Sequence, residues 1–318
     1  MKLLLFLSLF FSLSCFSKSF EDWKKEYIIR ASKRGIPKSF STEVLKDVIV
    51  DYRVIKKDKN QILSSNKHSY PKFMKKWLRD GLRVKKGIEL LKTHSLLLDK
   101  VEAQYGVDKE VIVALWGIET LYGEIKGDYN VIRSLASLAF EGRRRSFYET
   151  QLNAAIRIIK KGYIKQSEFK GSWAGATGHC QFMPSNLFAY GKDFNKDGIV
   201  DIWNSLPDVF ASIANLLKKA GWSKNKSIGS LAKPPSNLNS NFNYEKYRSP
   251  IQLNKLGFRD SIGRKLHSSI WSSRRIANIP MSDSPVVLRG SNYLPLMKWN
   301  RSSLFAAFNI ILINEFKK

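Results

Sequence analysis

A chain of 318 residues can bury one large core or two smaller ones. Its 43% hydrophobic and 12% aromatic residues exclude disordered and collagen-like classes. Lys and Arg number 54 against 27 Asp and Glu, a net charge of +27 that draws the chain toward polyanions and anionic surfaces. Nucleic acid is the usual first partner for such a charge, yet no recognisable DNA- or RNA-binding motif accompanies it. No nucleic-acid partner is therefore expected; a solvated lysine-rich surface is the plainer account.

The chain opens Met1-Lys2-Leu-Leu-Leu-Phe-Leu-Ser-Leu-Phe-Phe-Ser-Leu-Ser14, a short charged start and an apolar run. That run is too short to span a bilayer as a helix and has the length of an export signal, assigned here to residues 1–19. Leu13-Ser14-Cys15 resembles a bacterial lipoprotein cleavage box, with Ser12 where a large aliphatic residue is usual. Export to the periplasm follows, free or anchored to the outer membrane through Cys15. Cys180 is the second of two cysteines; with Cys15 removed or lipidated, no internal disulfide is expected. His179 beside it makes a poor nucleophilic dyad, because adjacent side chains point apart; a small buried Cys is expected.

Residues 20–104 carry helical periodicity. Phe20, Trp23, Tyr27 and Ile28 recur at spacings of three and four, as do Val44, Val48, Tyr52 and Ile55. The polar run Lys56-Lys-Asp-Lys-Asn-Gln61 reads as a loop, and helix resumes over 72–105. Asp108 is placed to cap the next helix. That helix carries the apolar run Val111-Ile-Val-Ala-Leu-Trp-Gly-Ile-Glu119. Removing a carboxyl from water raises its pKa, and a carboxyl kept protonated near neutrality is what glycosidic general-acid catalysis needs. The alternative is a carboxylate bonded to a helix end or paired with Arg.

Two more helices are predicted over 131–162, then Lys170-Gly-Ser-Trp-Ala-Gly-Ala-Thr-Gly-His-Cys-Gln-Phe-Met-Pro-Ser185, rich in small residues. A polymer could lie close to such a backbone. Asp193-Phe-Asn195-Lys-Asp197-Gly198-Ile199-Val-Asp201 fits the first nine positions of an EF-hand calcium loop, with Ile199 giving its carbonyl. Position 12 is Asn204 instead of Glu. Structural Ca2+ is weighed against a metal-free Asx turn, and no organic cofactor is expected. Ser205-Leu-Pro-Asp208 opens a helix to about Leu217, closed by Gly221-Trp222. Residues 223–290, rich in Ser, Asn and Pro, read as a small irregular subdomain with short strands. The apolar tail from Asn300 to Phe316 reads as a helix returning to the core.

Gly117-Ile-Glu-Thr, Arg143-Arg144, Gly171-Ser-Trp-Ala-Gly-Ala, Gly178-His-Cys-Gln-Phe-Met-Pro-Ser185, Ile202-Trp-Asn-Ser-Leu-Pro-Asp208 and Trp299-Asn300-Arg-Ser302 stand in one order along the chain. Together they resemble the lytic transglycosylases of the membrane-bound B type, which cut peptidoglycan glycan strands. The likeness is dense from about Tyr105 to Trp222. It implies a mainly α fold: an N-terminal helical region (20–104), a lysozyme-like helical core with an EF-hand-like loop (105–222), a small irregular or β subdomain (223–290) and a C-terminal segment (291–318) returning to the core. It implies that Glu119 is the sole acid and base, cleaving between N-acetylmuramic acid and N-acetylglucosamine with closure of a 1,6-anhydro ring. Ser172 would orient Glu119 or meet an N-acetyl group. Gln181, Phe182, Trp299 and Asn300 would contact sugar, and Arg143 and Arg144 the acidic peptide stems or lactyl carboxylate. Asp208 is the resemblance's candidate to close the calcium loop. Leu216 stands where some members carry a groove Tyr. The implied partners are glycan strands, with an anionic membrane or wall surface attracting the basic chain; the protein is expected to act as a monomer. An inactive wall-binding or scaffolding protein on the same fold is the alternative, disfavoured by intact Glu119, Ser172 and Gln181.

Overall fold

The computed structural model describes residues 19–60, 69–78, 81–267 and 275–318. The export segment and Cys15 lie outside the described residues. Fourteen α-helices and five short strands are found among those described.

Helix α1 (Phe20–Ser32) starts where Ser19 Oγ accepts the Asp22 N–H at 3.1 Å. Trp23, Tyr27 and Ala31, four apart, are wholly buried, and this stripe faces α2 (Lys38–Leu45). Buried Lys24 reaches past the end of α2 and donates to Leu45 O at 3.4 Å and Val48 O at 3.2 Å. Helix α3 (Tyr52–Asn60) runs through the expected polar loop. Tertiary pairing overrides the local pattern there: Asp58, 2% exposed, takes the Arg143 guanidinium. Helices α4 (Tyr70–Leu78), α5 (Leu82–Thr93) and α6 (Ser95–Tyr105) divide the stretch predicted as one helical run.

Helix α7 (Lys109–Thr120) is buried along nearly its whole length. Asp108 sits at its N-cap, but its side chain makes no cap bond; the Glu102 carboxylate accepts the Lys109 N–H at 2.9 Å instead. Strand β1 (Tyr129–Asn130) leads into α8 (Val131–Glu141), which packs against α9 (Arg145–Lys160). Strand β2 (Lys170–Gly171) pairs antiparallel with β1, Tyr129 opposite Gly171. Helices α10 (Pro184–Tyr190) and α11 (Leu206–Lys219) close the far side.

Strands β3 (Gly229–Ala232), β4 (Ile276–Ala277) and β5 (Val286–Arg289) form an antiparallel sheet in the order β3-β5-β4. Helix α12 (Pro250–Lys255) lies within this region, capped by Ser249 and Gln252. The sheet and α12 enclose a small apolar cluster of their own, around Leu253, Phe258 and Val286. Helices α13 (Tyr293–Met297) and α14 (Ser303–Phe316) then bring the chain back onto α7 and α5. One continuous core holds Trp23, Leu98, Leu115, Leu152, Phe210 and Phe308, so the N-terminal helices and the central ones share a single interior. No helix among the described residues is long and apolar enough to cross a membrane.

Candidate active site

Helix α7 ends in an uncommon way. Leu121 (φ 50°) and Tyr122 (φ 60°) both adopt left-handed backbone, a conformation that side chains disfavour. Two bonds hold the bend: Leu121 N–H to Gly117 O at 3.1 Å and Tyr122 N–H to Trp116 O at 3.3 Å. Gly117 is required for it. A Cβ there would lie 2.6 Å from the Tyr122 ring, which folds back onto the helix. The Tyr122 hydroxyl donates to Arg83 O at 2.6 Å, fastening the bend to α5. Glu119 is thus presented from the last turn of a helix that cannot slide.

The loop between β2 and α10 faces this helix end. Thr120 Oγ1 donates to His179 O at 3.2 Å and accepts the Gly123 N–H at 3.0 Å. The Trp116 indole donates to His179 Nδ1 at 2.9 Å. The His179 ring rests on Gly123 (φ 89°), where a Cβ would come within 2.2 Å of it. Burial, and after it the charge of Lys126, holds the His179 pKa down at about 4, so the ring is neutral and accepts the indole N–H. Cys180 is fully buried, its thiol directed at Val209 O over 3.6 Å.

The Glu119 carboxyl accepts a hydrogen bond from Trp299 Nε1 to Oε1 at 2.8 Å. The side chain is partly open to solvent, yet the carboxyl is crowded enough that burial pushes its pKa up to about 7, against the opposing pull of the Trp299 N–H. Trp299 in turn packs on buried Phe182, ring centroids 5.5 Å apart. Three residues proposed from separate motifs therefore meet: Glu119, Phe182 and Trp299.

The others sit around them in different states. The Ser172 hydroxyl accepts the Ala176 N–H at 3.1 Å, and its backbone N–H donates to Ala176 O at 2.7 Å, making a tight turn. Gln181 (φ 47°) donates through Nε2 to Lys126 O and Gly178 O, both at 3.0 Å, which leaves its Oε1 as a free-standing acceptor. Asn300 is exposed beside Trp299. Arg143 is committed to Asp58, with Nε to Oδ2 at 3.1 Å, and Arg144 stacks over Phe147 at 4.4 Å and Tyr148 at 5.3 Å. Leu216 is buried within α11. The roles of His179 and Trp116 lay beyond sequence reasoning: each reads as an apolar or loop residue, and only the fold pairs them.

In the 193–208 loop, the oxygens of Asp193, Asn195 and Asp197 turn inward. Asp193 accepts the Asp197 and Gly198 N–H groups at 3.2 and 2.9 Å. Asn195 Nδ2 donates to Asp197 Oδ2 at 2.8 Å, and Asp197 Oδ1 accepts the Ile199 N–H at 2.8 Å. Asp208, fully buried, ties the loop's ends through the Phe194 N–H at 2.8 Å and the Asp201 N–H at 2.9 Å. Burial raises the Asp208 pKa, and the Asp193 charge adds to the rise. No group of three or more His, Cys, Asp or Glu arranged to hold a metal exists among the described residues. An oxygen-only donor set with two mutually repelling carboxylates nonetheless fits a hard cation that also takes amide and carbonyl oxygens.

A mainly helical body presents one crowded, near-neutral carboxyl beside a small-residue loop, an arrangement able to give and take a proton. The family described as Transglycosylase SLT domain matches residues 19–312, and the chain belongs to it. It is 32% identical over 150 residues to membrane-bound lytic murein transglycosylase B of Escherichia coli K12, a match spanning 47% of this chain and 41% of that protein. The crystal structure of SltB3 from Pseudomonas aeruginosa, in complex with NAG-anhNAM-pentapeptide, superposes with a TM-score of 0.82 at 33% identity, covering 94% of this chain and 80% of that one. The Escherichia coli lytic transglycosylase Slt35 in complex with calcium shares the fold, with a TM-score of 0.74 at 23% identity over 92% of each chain.

Proposed function

We propose that the protein is a lytic transglycosylase that cleaves the β-1,4 bond between N-acetylmuramic acid and N-acetylglucosamine in peptidoglycan. Glu119 acts first as acid. Its carboxyl gives a proton to the bridging oxygen, the muramyl C1–O bond breaks, and the bonding pair leaves with that oxygen as the 4-hydroxyl of N-acetylglucosamine. Glu119, now a carboxylate, takes the proton of the muramyl C6 hydroxyl as O6 bonds to C1. The acid is restored, the sugar ends as 1,6-anhydromuramic acid, and no water is consumed.

The observation that carries this reading is the Glu119 carboxyl at the end of its apolar helix, bonded by the Trp299 indole and, among the described residues, paired with no second carboxylate. A hydrolase needs a partner carboxyl at a set separation to activate water or trap the sugar. Of the acids nearest in sequence, Glu124 pairs with Lys86 and Glu141 with Lys59. A group with a pKa near the working pH also gives and recovers protons with least loss.

Gln181 Oε1 and the Asn300 amide are suited to acetamido groups, Phe182 and Trp299 to a sugar face, and Ser172 to the rim of the groove. Arg143 and Arg144 keep exposed edges for acidic peptide stems. Calcium would be held by Asp193, Asn195, Asp197, the Ile199 carbonyl and Asp208, and would brace the loop without entering the reaction. The solved relative's complex with a NAG-anhNAM-pentapeptide supports peptidoglycan strands as the partner. Such a substrate supports a periplasmic site of action, where the basic surface would favour anionic wall or lipid. The parts act as one monomer, residues 105–222 supplying the acid and 291–318 the aromatic wall against it.

Mass spectrometry of fragments released from purified peptidoglycan tests the function. Muropeptides ending in 1,6-anhydromuramic acid are expected; fragments carrying reducing ends alone would make the protein a hydrolase.

A further inference from the structure

Trp299 stands 180 positions beyond Glu119, and its indole N–H is the hydrogen-bond donor to Oε1, at 2.8 Å. An indole nitrogen donates and cannot accept. A hydroxyl in the same place could do either, and would leave the carboxyl free to carry its proton on either oxygen. With an indole, Oε1 must remain an acceptor whether the acid is protonated or ionised.

The donor is also held in place. Its ring lies against Phe182, and Phe182 against Tyr190 with centroids 6.4 Å apart. The backbone N–H of Trp299 bonds to Leu296 O at 2.9 Å, and that of Leu296 to Asn292 O at 3.1 Å. Asn292 is fully buried and locked to the chain before β3: Oδ1 accepts the Ser223 N–H at 2.9 Å, while Nδ2 donates to Ser223 O at 2.9 Å and Lys226 O at 2.6 Å. The backbone that carries the indole is therefore anchored in a buried network, and the ring itself is packed on Phe182.

We propose that Trp299 is a positioning residue that decides which oxygen of the acid delivers the proton: Oε1 is reserved for the indole N–H, and Oε2 carries the proton. This deepens, and rests on, the reading of Glu119 as the acid. The same bond becomes charge-assisted, and so stronger, as the proton leaves Oε2. Its gain is thus largest after proton transfer begins, which is the kind of contact that speeds a reaction. The Cys180 thiol of the β2–α10 loop lies within reach of the Glu119 charge and is neutral, because burial, and after it that charge, push it far up. It competes for neither oxygen as a charge.

The test replaces Trp299 with benzothienylalanine, which keeps the ring shape and puts sulfur where the N–H was; Trp299→Phe is the second variant. Carbon-13 in the glutamate carboxyls, with the signal identified by its loss in Glu119→Gln, reports the titration of Glu119 directly. The native carboxyl is expected to titrate near pH 7. Both variants should titrate higher, by roughly one pH unit for a lost charge-assisted bond. The alkaline limb of kcat/KM should move up by the same amount, and in the benzothienyl variant, which keeps the ring face, KM should change less than in Trp299→Phe. A midpoint identical in native and variant proteins overturns the proposal, as does a KM effect with an unmoved limb, the mark of simple sugar stacking. The titration needs no turnover. A protein that shows the shift but releases no anhydro ends refutes the proposed function and leaves this assignment standing.

Discussion

The indole of Trp116 donates to Nδ1 of His179 over 2.9 Å, joining the middle of the acid-bearing helix to a loop 63 positions later. Both partners also touch the bend that presents Glu119: Trp116 O accepts the Tyr122 N–H at 3.3 Å, and His179 O accepts the Thr120 hydroxyl at 3.2 Å. The bond requires a neutral imidazole, since a protonated ring has no acceptor. It therefore ties the geometry of the site to a titration.

His179 has a folded pKa depressed to about 4, below the ordinary value of roughly 6.5. A depressed pKa gives stability that is present above the unfolded value and lost as pH falls. Native protein should lose stability, relative to His179→Asn, as pH drops from about 6.5 toward about 4. His179→Phe fills the space but strands the buried Trp116 N–H, at a cost of about 1–3 kcal/mol. Thermal unfolding followed across pH checks both; parallel curves for native and His179→Asn would refute the titration argument.

Glu119→Gln keeps an oxygen to accept from Trp299 but cannot donate and recover a proton. Turnover should fall by at least the ~10²–10⁴-fold of a lost general acid or base, with glycan binding retained. The sign for stability follows from the raised pKa. The carboxyl costs nothing below its ordinary value, and the cost grows as pH rises through the window from 4.5 to about 7. The Gln variant should thus be more stable than native at pH 8, by up to roughly 2–3 kcal/mol, and equal to it near pH 4. Native turnover with a normal fold would remove Glu119 from the mechanism.

Calcium should raise Tm, by about 2.7 kcal/mol in free energy at a hundredfold excess over Kd. Asp197→Ala should abolish that rise with little effect on the metal-free protein. Asp208→Asn should behave differently. Its buried carboxylate accepts two backbone N–H groups, and an amide NH2 turned toward one of them leaves both donors opposed, so Tm falls with or without calcium. Indifference of native Tm to calcium and to chelator would reduce the loop to a turn.

Arg143 and Arg144 should separate in the same assay. Asp58 is buried against Arg143, with the Tyr148 hydroxyl 3.4 Å away. Arg143→Ala strands that carboxylate and should lower Tm, and adding Asp58→Asn should recover part of the loss. Arg144→Ala removes an exposed stacking cation and should leave Tm near native. Equal Tm for both single variants would show that the Asp58 pair contributes nothing to folding.

What was legible in the chain is what local pattern encodes. The apolar stripe ending in Glu119, the strands expected within 223–290 and the returning helix over 303–316 follow from period and punctuation, because a helix or turn is decided by neighbours within a few residues. The inward set of Asp193, Asn195 and Asp197 follows for the same reason. Pairings across long separations were not legible. Nothing near Lys56–Asn60 announces a helix; it forms because Asp58 finds Arg143 85 positions away. Asp108 has the right residue type for a cap, yet Glu102 from the preceding helix holds the Lys109 N–H. That the Trp299 indole reaches Glu119 from 180 positions away was equally hidden. Sequence alone determined that a buried acid would exist and on which helix. Which donor reaches it, and so which oxygen can carry its proton, was decided by packing, since a hydrogen bond depends on tenths of an ångström that local propensity does not specify.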